Sequence, residues 1–276
     1  MNIRYLGDKN SCKKMTTAEL RASYLLDDLF APGKIVLHYV DVDRTIVGSV
    51  VPTIESLSLT SAAELRADYF AERREIGVIN IGGSGKITVD SAGYSLANKD
   101  CLYIGRGSKS IQFASDDPAN PAKFYVMSYP AHAAYPTKKI TKKEANIVDL
   151  GSDGDANKRT LYQMICPGVC DSCQIVMGIT ELAEGNVWNT MPPHTHERRS
   201  EVYLYFDVDE SARVFHFMGE PAETRHLVLR SGDAVISPSW SIHSGAGTRN
   251  YSFIWCMGGE NQAFTDMDFI EMGDLR

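Results

Sequence analysis

No run in this 276-residue chain is apolar for the roughly 20 residues that a bilayer-crossing helix needs. The opening stretch, MNIRYLGDKNSCKKMTTAEL, has no apolar core of the kind a secretory signal carries. Basic residues are outnumbered, 28 Lys and Arg against 35 Asp and Glu, for a formal charge of −7. A nucleic-acid surface needs the opposite balance, because clustered cations drive counterion release. These absences predict a cytoplasmic protein that binds neither membrane nor nucleic acid. A negatively charged substrate would then need a local basic group to hold it.

Cysteine is sparse, and its pattern excludes two chemistries. There are six: Cys12, Cys101, Cys166, Cys170, Cys173 and Cys256. Three stand close together in CPGVCDSC. A zinc ribbon needs a second Cys or His pair at suitable spacing, and none follows. A thioredoxin-type motif opens a helix, whereas CPGVCDSCQIVMGITEL runs on into strand texture. Reduced, free thiols are the expectation for a cytoplasmic chain.

What is present is a normal globular composition, 43% hydrophobic, enough for one large domain or two smaller ones. TTAELRASYLLDDLF has a Thr16-x-x-Glu19 capping box and helical apolar spacing, which predicts a short N-terminal helix within residues 1–32. From Gly33 the texture becomes β-branched, in short strands separated by Gly, Asn and Asp. Residues 33–136 read as one β domain, the charged stretch 137–160 as a connector, and 161–276 as a second β domain. The two share a pattern. YFAERREIGVINIGG and HTHERRSEVYLYFDV both carry Glu-Arg-Arg ahead of a β run, which suggests a duplicated unit. Many short antiparallel strands in each copy predict a sandwich or jelly-roll barrel.

The most chemical stretch is MPPHTHERRSEVYLYF, residues 191–206. Side chains alternate faces along a strand, so His194 and His196 point the same way. Glu201 has the opposite parity, and a turn or bulge at the charged ERRS would bring it round. Beyond it Glu201, Tyr203 and Tyr205 share one face, and Val202, Leu204 and Phe206 the other. A fourth ligand could come from His38, His132, His216, His226 or His243. His243 stands out because GDAVISPSWSIHSG combines a Gly-Asp turn, a strand, Pro238 and then the histidine. Three imidazoles and one carboxylate suit zinc, iron, manganese or nickel. The competing reading is a solvated, histidine-rich loop. The ordered spacing of both segments favours the metal.

HTHERRSE after Gly185, and GDAVISPSWSIH, resemble the two cupin motifs, with Trp240 where a glycine is usual. ERREIGVINIGG, AYPTKK, VWNTMPPHTHERR, GEPAETRH, ISPSWSIHSG and GENQAFTDMD together resemble the 5-keto-4-deoxyuronate isomerase family, over nearly the whole chain. That resemblance implies two tandem cupin barrels, one zinc ion held by His194, His196, Glu201 and His243, and a homohexamer. It implies a ketol-isomerase acting on a keto-uronate of pectin breakdown. The first barrel has Glu72, Arg73, Arg74 and Glu75 but no His-x-His, so it is expected to hold no metal.

Such a reaction needs a proton shuttle and an anchor for the substrate carboxylate. Glu201 is the first candidate for the shuttle, ahead of Glu223, Glu260 and Asp266. Arg199 and Arg225, with Arg198 behind them, are the candidate anchors, and Tyr203 a hydrogen-bond donor. Surface ion pairs or core packing are the ordinary roles of such residues. Two rivals remain: an Fe(II)-dependent cupin dioxygenase with the same ligands, and a non-enzymatic sugar-binding barrel.

Overall fold

The computed structural model describes residues 1–276. The chain is β-rich and divides into two compact units, each a pair of sheets. One comprises Met1–Arg4, Asp28–Ala145 and Met164–Met177; the other Tyr5–Asp27, Asn146–Gln163 and Gly178–Arg276.

The first unit has a seven-stranded sheet in the order Asn2–Arg4, Lys34–Val40, Ile46–Val51, Phe124–Pro130, Arg74–Asn80, Cys101–Ile104 and Lys138–Ile140. Its four-stranded sheet runs Leu57–Ser58, Ile111–Ser115, Gly85–Val89, Ala92–Leu96. The second unit repeats the plan. Its larger sheet runs Asn146–Leu150, Arg159–Ile165, Val176–Leu182, Ser252–Gly259, Arg199–Phe206, Ala234–Ser237, Leu25–Leu26. Its smaller sheet runs Trp188–Asn189, Ser244–Gly247, Val214–Glu220, Glu223–Leu229. Arg74–Asn80 and Arg199–Phe206 therefore hold the same place, third from one edge, and each begins with the last residue of its Glu-Arg-Arg. The fold is a duplicated cupin-type barrel, as the strand pattern and the repeat predicted.

The helix Thr17–Tyr24 forms where the capping box placed it. Thr16 Oγ1 accepts from the Glu19 amide, and the Glu19 carboxylate returns to the Thr16 amide. Both strands Lys138–Ile140 and Asn146–Leu150 lie in the charged stretch between the β-rich halves, each pairing at or near the end of a sheet. The second carries exposed Ile147 and Leu150, as a solvated outer strand does.

The two interiors differ in chemistry. In the first unit, Ile46, Ile76, Val78, Leu102, Ile104 and Phe113 pack into an apolar core. Ile76, two residues beyond Arg74, takes the place that Glu201, two beyond Arg199, holds in the second. Glu75 has the other parity and points out of that core. There its carboxylate accepts from the Tyr103 hydroxyl at 2.7 Å and from the amides of Cys173, Gln174 and Ile175 at 2.6, 2.7 and 2.9 Å. It is a structural carboxylate that docks the cysteine-bearing segment. The six thiols are all free, and burial pushes Cys170 up to about 11, away from reactivity.

Candidate metal centre in the second barrel

His194 and Thr195 form a short strand paired with Asp268 and Phe269 near the C-terminus. The chain then turns, closed by the Arg199 amide on the His196 carbonyl at 3.1 Å. This turn at Glu197 and Arg198 resets the parity, so Glu201 faces the same interior as the two histidines. His243 arrives from the other motif, behind a turn in which the Ser241 amide meets the Pro238 carbonyl at 2.9 Å.

These four side chains converge. His196 Nε2 lies 3.0 Å and His243 Nε2 2.9 Å from the same Glu201 oxygen, Oε2. His243 Nε2 is also 2.9 Å from His194 Nε2. All four donor atoms lie within 4.8 Å of one another, and it is the one such cluster in the chain. The residues are between 1% and 7% exposed. Cation bonds of about 2.1 Å at right angles would separate adjacent donors by roughly 3 Å, so these spacings fit a shared divalent ion. Two imidazole nitrogens at 2.9 Å with no other polar atom between them also need a shared proton or a cation. The support is of the expected kind: His196 Nδ1 sits 2.8 Å from the Arg199 carbonyl, an acceptor only, which leaves Nε2 to face inward.

The electrostatics agree. Burial opposes ionisation of Glu201, yet the His243 and His196 partners hold its carboxyl well below the usual range. Burial likewise opposes charge on His196, but the Glu201 hydrogen bond and charge outweigh it and raise its pKa. Burial, reinforced by His243, pushes His194 down to about 2. A cation must displace the His196 proton, which is held above the ordinary imidazole value of 6.5. Affinity for the ion is therefore expected to weaken as pH falls below the raised His196 value. Metal affinity measured by competition with a chelator between about pH 8 and about pH 5 checks this, and an affinity independent of pH would count against His196 as a ligand.

The cluster opens on a cavity of about 320 Å³. Its walls are mostly apolar, with Phe253, Trp255, Phe264 and Met267 among them. Tyr203 lines it, with its hydroxyl 3.3 Å from Thr190 Oγ1, which in turn donates to Asn189 Oδ1 at 2.5 Å. The Asn189 Nδ2 is buried without a partner. Glu201 is the sole carboxylate in the wall and Arg159 the sole Arg or Lys.

Other candidates fall elsewhere. Arg225 spends its guanidinium on the carbonyls of Cys12, Lys13 and Met15, away from the cavity wall. This corrects its reading as a substrate anchor: it fastens the N-terminal segment to the barrel. Arg199 is fully buried outside the lining, with Nη2 on the Asp266 carbonyl at 3.2 Å and Nε and Nη1 unpartnered. Arg198 pairs with Asp266 and Asp268 and so ties down the strand that flanks His194. Glu223 and Glu260 are exposed. Tyr205 lies deeper on the Tyr203 face and meets His216 Nδ1 at 2.8 Å. His38 pairs with Asp28, and His132 and His226 are exposed. Arg159 was missed because it stands at the end of the charged stretch 137–160, with no motif around it. Asn189 lies within VWNTM, but nothing in its spacing marks it.

The profile of the KduI/IolB family matches residues 29–272. The 4-deoxy-L-threo-5-hexosulose-uronate ketol-isomerase of Lachnoclostridium phytofermentans is 55% identical over 276 residues, covering all of both chains. Its counterpart in Halalkalibacterium halodurans is 52% identical over the same span. Among solved structures, an IolB-like protein from Salmonella typhimurium superposes with a TM-score of 0.69 at 11% identity, covering 90% of this chain and 97% of that one. An oxalate decarboxylase from Lactobacillus farciminis gives 0.57 at 10% identity, covering 90% and 81%. At such identities these two bear on the fold alone. With a duplicated cupin barrel, a matched profile over most of its length and full-length relatives above half identity, this chain belongs to the KduI/IolB family.

Proposed function

We propose that the chain is a zinc-dependent ketol-isomerase that interconverts 4-deoxy-L-threo-5-hexosulose uronate and 3-deoxy-D-glycero-2,5-hexodiulosonate. The observation that carries this is the convergence of His194, His196, Glu201 and His243 on one point at the wall of an apolar cavity, in a chain about half identical to enzymes of that name. One zinc per chain is the reading, because the first barrel has Ile76 where the second has Glu201.

The reaction moves hydrogen from C2 to C1 and exchanges an aldehyde for a ketone, with no net oxidation. The bound cation would supply Lewis acidity, easing loss of the carbon-bound proton and steadying the negative oxygen that develops. His194, His196 and His243 would hold that ion through their ring nitrogens. Glu201 would complete that ligand set and, as the sole carboxylate in the cavity wall, is the candidate for the proton shuttle between the two carbons. Tyr203 and Thr190 supply hydroxyls to orient the substrate, and the aromatic wall excludes water.

The proposal extends to a cytoplasmic homohexamer. Six free thiols and the absence of any helix long and apolar enough to cross a membrane accord with the location. The assembly rests on the family resemblance.

The test is elemental analysis of the purified protein together with anaerobic turnover of the keto-uronate. About one zinc per chain, turnover without oxygen, and loss of it on chelation are expected. Iron with strictly oxygen-dependent turnover would transfer the chain to the dioxygenases. No metal and no turnover would leave a sugar-binding barrel.

A further inference from the structure

The proposed substrate is a six-carbon chain. Its reacting carbons are at one end and its carboxylate at the other. The metal ligands account for the first end only. We propose that Arg159, with the side-chain amide of Asn189, is the carboxylate anchor that sets the specificity of this cavity for acidic sugars. This inference rests on the isomerase reading of the site.

Three observations support it. First, Arg159 is the only Arg or Lys in the cavity wall, so an anion that enters has one full positive side-chain charge to meet. Second, Arg159 is half-buried at the start of the strand Arg159–Ile165 and makes a single hydrogen bond, from Nη1 to the Asn157 carbonyl at 2.7 Å. Nε and Nη2 have no protein acceptor. A guanidinium in an apolar wall with most of its donors unspent is set for a carboxylate, whose two oxygens match its fork. Third, the Asn189 amide nitrogen is buried on the same wall with no partner. Its carbonyl side is already committed to Thr190, and Ser244 Oγ holds its backbone carbonyl at 2.9 Å, so the side chain is fixed with its donor unused. An unmet buried donor is costly unless a ligand meets it.

The ordinary alternative is that Arg159 is a wall residue with a solvated head. Its neighbourhood argues against this. The guanidinium lies within electrostatic reach of the Tyr203 and Tyr251 phenols, both deeply buried, and no carboxylate pairs with it. Arg199 and Arg225, the arginines that sequence position favoured, are outside the wall.

The experiment compares the zinc-loaded wild type with R159Q and R159K. Binding of D-glucuronate, a uronate that carries the carboxylate, and of D-glucose, which lacks it, is read by calorimetry. Steady-state kinetics are read on the keto-uronate, and zinc content on each sample. The wild type should bind glucuronate well above glucose. R159Q should lose that preference and show a rise in KM of about 10²-fold, with a smaller change in kcat and full zinc content. R159K, which keeps the charge but not the fork, should lose about tenfold. An R159Q protein that keeps both the preference and its KM overturns the assignment. So does a loss of kcat at unchanged KM. A wild type that fails to turn over the keto-uronate yet prefers glucuronate through Arg159 would sink the isomerase reading and keep the anion site. If R159Q does not fold, the R159K data and its glucuronate preference decide alone, and an unchanged preference there, with unchanged KM, counts against the anchor.

Discussion

His196→Ala is expected to release the metal and to lower kcat/KM by about 10³-fold or more, in a chain that still folds. His196 is the hinge of the ligand set. Its Nε2 faces Glu201 and its Nδ1 is oriented by the Arg199 carbonyl, so truncation removes a donor and frees the carboxylate at once. Loss of one well-supported ligand from four costs most of the affinity for the ion, because the remaining donors no longer enclose it. The fold should survive. The strand Arg199–Phe206 is bonded on both sides, to Ser252–Gly259 and to Ala234–Ser237, and its other face buries Val202, Leu204 and Phe206. The lost buried hydrogen bonds cost about 1–3 kcal/mol, which lowers the melting temperature by a few degrees. Elemental analysis, turnover and a thermal melt on one preparation check the three parts. A variant that is unfolded at room temperature would make the ion a structural element of the barrel and not only a catalytic one.

Glu75→Ala should destabilise the first unit strongly, by about 3–5 kcal/mol. The side chain is fully buried and receives four hydrogen bonds, one from Tyr103 and three from successive amides at Cys173, Gln174 and Ile175. Removing it leaves those donors buried and unmet, and each costs about 1–3 kcal/mol in such a setting, although the costs do not add in full. A fall of roughly 6–15 °C in the melting temperature of the first unit is the readout. Zinc content should not change. Glu72→Gln is the control: Glu72 is half-exposed, with one amide and the exposed Arg73 as partners, and should melt within about a degree or two of wild type. Glu201→Gln should do the reverse of Glu75→Ala, losing zinc and activity with a smaller thermal shift. A Glu75→Ala protein that melts like wild type would show that the 173–175 segment is held by its other contacts.

These two carboxylates illustrate what could be read ahead of the structure. Both follow a Glu-Arg-Arg, and the strand period of two makes the face of each a matter of a single residue. Glu201 comes two residues after its Arg and turns inward; Glu75 comes one after and turns outward. The missing His-x-His is the reason to expect no metal in the first barrel. The new task of Glu75 was not legible in the sequence, because its partners lie some hundred residues away.

Strand alternation, capping chemistry and turn residues carried the β-rich, duplicated architecture, the capped N-terminal helix, and the placing of His194, His196 and Glu201 on one face. His243 stood out among five candidate histidines, and the complete set of four came with the family resemblance. Tertiary structure alone decided three further matters. It placed Arg225 on the carbonyls of the N-terminal segment, put Arg159 in the cavity wall, and buried Arg199 outside the lining. The reason is physical. An arginine reaches several ångströms along its stem, so its partner is set by which distant strands pair and which face closes over it, and neighbouring residues in the chain carry no record of either.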